Sequence, residues 1–184
     1  MTSIILIALL VVVPIFFYNA LIAKKNQVDN IYASIDAVLK KRYNLIPNLV
    51  ATVSKYMNHE KSVLQELTEL RTKANNPNLS NQEVIDIDKQ VTSALGTIMV
   101  SVENYPELKS NENILQLQDT LTEVESQISA ARRAYNQSVT DYNNALEMIP
   151  TNFIASALNY KPKNLFEITQ EERRPLSMEK LFQS

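Results

Sequence analysis

A single glycine, Gly96, occurs in the whole chain of 184 residues. Glycine supplies positive backbone φ angles and lets two backbones approach closely, so β-sandwiches, tight hairpins and nucleotide-binding loops depend on it. Its near absence favours an all-α fold. Hydrophobic residues make up 45% of the chain, which is enough for one real core. There is no cysteine, which excludes disulfides and thiolate metal sites.

The amino terminus predicts a membrane anchor. Residues 1–23 carry no charged side chain, and the stretch from Ile4 to Ala23 is almost continuously apolar. Twenty helical residues span about 30 Å, the thickness of a bilayer's hydrocarbon core. A cleaved signal peptide is the alternative, but the stretch lacks a basic start and a small-x-small cleavage site. Lys24 and Lys25 follow directly, so the positive-inside rule predicts an external amino terminus and a cytoplasmic domain.

A heptad-like stripe follows the anchor. Its positions are spaced by three or four residues with one extra four-residue step between Arg42 and Ile46, a stutter that locally unwinds a coiled coil. The pattern stays in phase across Pro47, which predicts one helix bent at the proline rather than two helices. The stripe comprises residues 28, 31, 35, 38, 42, 46, 49, 53, 56, 60, 63, 67, 70 and 74.

Capping residues and prolines predict where the later helices begin and end. Ser80 with Glu83 three residues on is a capping box for a second helix, which Pro106 stops. Ser110 can cap a third helix, which ends before Pro150.

The sequence therefore predicts an all-α fold with an N-terminal transmembrane helix. A long antiparallel helical bundle follows, with three long helices plus a short fourth at Thr151–Tyr160. The predicted domains are the anchor at 1–23, the bundle at 24–160 and an irregular C-terminal tail at 161–184.

Two charged residues, Arg42 and Glu60, fall on the apolar stripe. They lie about 27 Å apart along one helix, so they cannot pair with each other. Because an unpaired buried charge costs several kcal/mol, each needs a partner on another helix or on a neighbouring subunit. The predicted partners are Glu103 or Glu112 for Arg42, and Arg132 or Arg133 for Glu60.

The stretch ARRAYNQ, residues 131–137, could suggest RNA contact. Tyr135, however, lies on the stripe of the third helix, and we interpret the two arginines beside it as a solvated flank. Counted from the sequence, the chain carries a charge of +4 through Lys73 and −6 from Ala74 onward. This charge distribution lacks the dense basic face of a nucleic-acid-binding protein, so no nucleic-acid partner is predicted.

Catalytic motifs are scarce. His59-Glu60 begins like the zinc-protease signature H-E-x-x-H, but the last position is Val63 and the chain has no second histidine. With one glycine no phosphate-binding loop can form. We predict no enzymatic activity, no metal and no cofactor, with a carboxylate metalloenzyme as a remote alternative.

Four stretches in order resemble the LemA family of bacterial membrane proteins. They are YNALIAKKNQVDN, LKKRYNLIPNLVATVSKYMNHEKSVLQELTELR, ENYPELKSNENILQLQDTLTEVESQISAARRAYNQSVTDYNNALEMIPTNFIA and YKPKNLFE, within residues 18–167. The resemblance implies an anchored helical bundle in the bacterial inner membrane. It links the chain to envelope maintenance, membrane remodelling and membrane zinc proteases. The tail ITQEERRPLSMEKLFQS departs from the family's pattern.

Two functions remain open at this stage. The first is a non-enzymatic scaffold, anchored in the lipid bilayer, that forms homo-oligomers and organises or remodels the membrane. The second is an adaptor that regulates one membrane enzyme, such as a zinc protease. A long helical bundle with a wide apolar stripe favours the scaffold.

Overall fold

The computed structural model describes residues 1–57 and 59–166, without the side chains of residues 4 and 6–11. All regular elements in this part of the chain are helices, so the predicted all-α class is confirmed. In chain order they are α1 (Thr2–Val53), α2 (Lys61–Ala74), α3 (Asn81–Val102), α4 (Pro106–Lys109), α5 (Glu112–Glu147) and α6 (Thr151–Ala157).

Helix α1 runs without interruption from the apolar amino terminus through Pro47. A proline inside a helix removes one backbone hydrogen bond and crowds the preceding turn. Pro47 itself is exposed, whereas Ile46 and Leu49 on either side of it are completely buried. Their burial stabilises the helix despite the lost hydrogen bond. The predicted continuity across Pro47 is thus confirmed, and the bend there stays a prediction.

The predicted continuation of this helix to Ala74 is wrong. Helix α1 ends at Val53 and α2 begins at Lys61. The amides of Tyr56 and Met57 both donate to the carbonyl of Val53 and close a turn, and Met57 is completely buried. Because the apolar spacing stays in phase across this turn, periodicity alone did not reveal it.

Capping residues decide where α3 and α5 begin. Ser80 and Glu83 form the predicted capping box, and the hydrogen bonds from Ser80, its hydroxyl first, hold the pKa of Glu83 below its usual range. The predicted cap of α5, Ser110, is wrong. The side-chain oxygen of Asn111 accepts hydrogen bonds from two amides of the first turn, while the Ser110 hydroxyl turns back toward α4.

The chain divides into two compact units. The second unit, Asp29–Ala134, contains α2 packed on α3 together with parts of α1 and α5. Its core is an apolar set whose members are almost completely buried: Ile35, Leu39, Ile46, Leu49, Val53, Met57, Leu67, Val91, Ile98, Val102, Leu108, Ile114, Val124 and Ile128.

Among the described residues, the first unit joins residues 1–28 to residues 135–166. The predicted helix Thr151–Tyr160 ends early, at Ala157. Asn159 then takes a positive φ of 54°, a conformation that asparagine tolerates, and the Tyr160 amide donates back to the carbonyl of Ala155. Residues 161–166 are irregular, as predicted for the tail, whose remaining residues 167–184 lie outside the described part.

Among the helices that the structure describes, none combines the length and the apolar character needed to cross a bilayer. The membrane anchor expected at residues 1–23 therefore stays a prediction.

Candidate functional site

A buried ion-pair network joins three helices of the second unit. Arg42 of α1 donates through Nη1 to one carboxylate oxygen of Asp88 on α3 at 2.5 Å, and Arg132 of α5 donates to the other oxygen. Through Nη2, Arg42 also donates to the Thr92 hydroxyl at 2.8 Å and to Glu125. We call Arg42, Asp88, Glu125 and Arg132 the arginine–aspartate network.

The charges of this network balance one another, with Arg42, Asp88 and Arg132 buried and Glu125 partly exposed. Asp88 is completely buried and Arg42 is 2% exposed. Two arginines face two carboxylates, so neither cation is left without a counter-charge, an arrangement without which burial costs several kcal/mol. The Asp88 carboxylate accepts hydrogen bonds from arginines on two different helices. Both bonds form only when the two arginines lie at the same height along their helices as Asp88. The network therefore sets the relative register of α1, α3 and α5.

Tyr43, next to Arg42, lies against the same network. Its hydroxyl is buried and has no hydrogen-bond partner among the described residues. Burial first, and then the negative charge of Asp88, raise the pKa of Tyr43 well above its usual range. The phenol is therefore neutral at physiological pH.

The burial predicted for Arg42 is confirmed, but both of its predicted partners are wrong. Glu103 pairs instead with the exposed Lys109 at 2.5 Å, and Glu112 begins α5. Which carboxylate stands level with Arg42 depends on how the helices pack, and sequence spacing within one helix carries no such information. Asp88 itself carries a local signal, because it lies four residues after Val84 and three before Val91, on the apolar face of α3.

The predicted arginine partners of Glu60 are also wrong. Glu60 is half-buried just before α2, and both of its carboxylate oxygens accept from the Tyr105 hydroxyl, at 3.2 and 3.3 Å. Loss of solvent contact raises the pKa of Tyr105, and the hydrogen bond and negative charge of Glu60 raise it further. Arg132 is buried in the arginine–aspartate network, so its interpretation as part of a solvated flank is wrong. Arg133 is exposed and donates to the Ser129 hydroxyl on its own helix at 2.8 Å.

A second polar site lies in the first unit, where side chains of α5 hold the backbone of residues 161–166. The Asn143 side-chain amide donates to the Lys163 carbonyl and its oxygen accepts from the Lys163 amide, both at 2.9 Å. Asn136 does the same for Phe166, at 2.9 and 2.7 Å. Each asparagine thus satisfies both backbone polar groups of one residue.

Two tyrosines extend this recognition. The Tyr142 hydroxyl donates to the Lys161 carbonyl at 3.2 Å, and the Tyr135 hydroxyl donates to the Asn164 carbonyl at 3.3 Å. We call the four α5 residues the asparagine clamp, and the chain that they hold the docked segment, residues 161–166. The clamp comprises Tyr135, Asn136, Tyr142 and Asn143.

The spacing of the clamp matches an extended chain. Its two halves are seven residues apart, two helical turns or about 10.5 Å. The residues that they hold, Lys163 and Phe166, are three apart, and three residues cover this distance only when the backbone is almost fully extended. The distance between the two asparagines on the helix therefore equals the distance between the two residues that they hold on the extended segment.

Side chains of the docked segment add two anchors. Phe166 is 3% exposed and meets the Tyr135 ring edge to face, with ring centroids 5.7 Å apart. The Lys163 ammonium lies 5.9 Å from the centroid of the Tyr142 ring, within cation–π range. The site therefore binds an extended chain that carries a cationic side chain and, three residues later, an aromatic ring.

Of the four clamp residues, Tyr135 and, seven residues on, Tyr142 fall on the apolar stripe of the third helix, and both are buried. A signal for the others exists, because the dipeptide Tyr-Asn repeats seven residues apart within AYNQSVTDYNNA. On a helix this repeat places both pairs on one side. What the sequence did not indicate is the strand-like chain that the pairs hold.

The described residues contain no group of three or more histidine and acidic side chains arranged to hold a metal ion. His59 is exposed and lies in a bend rather than on a helix, so its side chain is not aligned with Val63 as in the protease signature.

Long helices, a buried ion-pair network and an extended segment held by a helix define an all-α bundle protein. The chain belongs to the LemA family, whose model matches residues 31–179. Protein LemA of Metamycoplasma hominis is 26% identical over 155 residues, covering 84% of this chain and 71% of the relative. Magnetosome protein MamQ 2 of Paramagnetospirillum magneticum is 22% identical over 191 residues, and magnetosome protein MamQ of Magnetospirillum gryphiswaldense is 20% identical. Both comparisons cover 90% of this chain and 70% of the relative.

Proposed function

We propose that this protein is a membrane-anchored helical scaffold that self-associates and organises the bacterial inner membrane. The observation that carries the proposal is the continuity of α1 from Thr2 to Val53. One helix begins in the charge-free apolar stretch of the predicted anchor and continues to Val53, which is completely buried in the second unit. In this proposal the anchor and part of the bundle belong to one helix.

Exposure along α1 supports the anchor. Several large apolar side chains before Leu21 are exposed, whereas Leu21 and Val28 are almost completely buried. Among the described side chains of α1, complete burial therefore begins at Leu21, near the point where the charge-free stretch ends and Lys24 and Lys25 follow. The exposed apolar set comprises Ile5, Val12, Val13, Ile15, Phe16 and Tyr18.

The corner between α5 and α6 supports the same assignment. Met148, Ile149 and Phe153 are 63%, 77% and 67% exposed. The chain that leaves α6 returns to α1, where the Lys25 ammonium lies 5.2 Å from the centroid of the Tyr160 ring. Exposed apolar residues in the same unit as the predicted anchor suit the headgroup boundary of a bilayer.

Half-buried apolar residues support self-association. In α1 the stripe is wider than two positions per heptad, and its outer members remain half-buried next to completely buried neighbours. A stripe of this width can serve a second helix. Anchoring in one plane also raises the effective concentration of copies. The outer members are Ile31, Tyr32, Val38, Leu45 and Val50. The relatives named as magnetosome proteins agree with a membrane-associated role.

We expect Val12→Arg with Phe16→Arg to abolish stable membrane attachment, because each arginine near the centre of an apolar span costs about 2.5–3.5 kcal/mol. Val12→Ala with Phe16→Ala is the matched control and should keep the protein in the alkali-resistant membrane fraction. Retention of the arginine variant in that fraction would contradict the anchor.

Orientation is tested in the same cells. The chain has no cysteine, so single cysteines at Thr2 or at the exposed Ser62 report topology without background. A membrane-impermeant maleimide should label Thr2→Cys in intact cells and Ser62→Cys only after permeabilisation. The reverse pattern would place the domain outside the membrane.

We expect the full chain to form oligomers in mild detergent and in lipid nanodiscs, measured by native mass. Leu45→Glu should lower the mass because it charges the half-buried stripe, whereas Asn44→Glu, at an exposed neighbouring position, should not. A strictly monomeric wild-type protein in all these conditions would favour an adaptor for a membrane enzyme instead.

A further inference from the structure

The docked segment is joined to α6 by a short link. Only Leu158, Asn159 and Tyr160 lie between the end of α6 and Lys161, and Asn159 holds the positive φ that turns the chain back. Short hinge loops under strain are the loops that open when identical proteins exchange segments. Opening this link gives up the backbone hydrogen bond from Tyr160 to Ala155 and relaxes Asn159.

The clamp recognises features that every copy of the chain carries. Asn136 and Asn143 bind backbone groups only. The two side-chain anchors, Lys163 and Phe166, belong to the docked segment itself. The clamp therefore accepts the docked segment of another copy with the same contacts as its own.

We propose that neighbouring copies exchange their docked segments, so that residues 161–166 of one copy occupy the asparagine clamp of the next. This inference rests on the proposed self-association. Exchange replaces each contact by an identical one, which makes it a low-cost route to assembly. Copies held in one membrane plane meet at high effective concentration, which offsets the entropy of joining them. The exchanged segment would link copies in series, whereas the apolar stripe packs them side by side.

Disulfide trapping between differently tagged copies tests the exchange. Tyr142→Cys and Lys163→Cys replace two side chains that lie together and leave both clamp asparagines intact. The chain has no native cysteine, so each variant carries one thiol. The two variants are co-expressed in full-length form, oxidised in the membrane, and probed for a disulfide between the two tags. The reference is a chain that carries both cysteines. Each single variant expressed alone gives a background, namely the disulfides that form between two copies of the same variant.

We expect the mixed-tag disulfide to exceed both backgrounds at least tenfold and to disappear when Asn136→Ala and Asn143→Ala are added to the copy that carries Tyr142→Cys. The reference chain should then give disulfides between copies as well. If the reference chain closes its disulfide only within one molecule, the exchange is excluded. Native mass separates the two ideas, because oligomers without a mixed-tag disulfide would refute the exchange and leave the scaffold standing.

Discussion

Replacing Asp88 by asparagine should destabilise the protein by about 3–5 kcal/mol, the cost of breaking a buried ion pair from one side. The Asp88 carboxylate is completely buried and accepts from both Arg42 and Arg132. Asparagine keeps the shape but removes the charge, and it presents an amide donor toward one guanidinium group. After the change only Glu125 remains to balance two cations in the arginine–aspartate network. Thermal and urea unfolding, followed by circular dichroism, measure the effect.

Two variants make this expectation specific. Asp86→Asn changes an exposed carboxylate one half-turn away, whose contact is to Gln82 on the same helix, and should shift the unfolding midpoint hardly at all. Arg42→Leu should cost less than Asp88→Asn, because it keeps apolar packing and leaves Asp88 paired with Arg132. If Asp88→Asn unfolds like Asp86→Asn, the network contributes nothing to stability.

Replacing Asn136 and Asn143 together by alanine should release the docked segment. Four hydrogen bonds between the asparagine side chains and the backbone of the docked segment are lost, each with a net contribution of about 1 kcal/mol. Their sum predicts roughly a thousandfold faster hydrogen exchange at the amides of Lys163 and Phe166. The exchange rates of α3 should stay the same, because the released segment belongs to the other unit and can open on its own.

Asn144 provides the matched control for this experiment. It follows Asn143 directly, is exposed, and makes none of the clamp's hydrogen bonds with the docked segment. Asn144→Ala should leave the amides of Lys163 and Phe166 protected. Equal protection in the double variant and in the control would mean that Phe166 and Lys163 hold the segment through their side chains, without the asparagines.

Local chemistry made much of the helical architecture predictable. Near absence of glycine implied helices, and the capping box at Ser80 marked the start of α3, because both act through residues close in sequence. The stripe identified Arg42 and Tyr135 as buried, since the period of a helix maps sequence position onto a face. The same local rule failed at Val53, where a turn left the apolar spacing in phase.

Tertiary structure alone decided which groups meet. Asp88 lies 46 residues from Arg42, and Glu125 lies 83 residues from it, so their contact depends on how three helices pack. The Tyr-Asn repeat was visible in the sequence, but its partner is an irregular stretch with no periodicity of its own. Sequence patterns report the faces of single elements, because each pattern arises from the backbone geometry of one element. Packing sets which faces come together, and with them the arginine–aspartate network and the asparagine clamp.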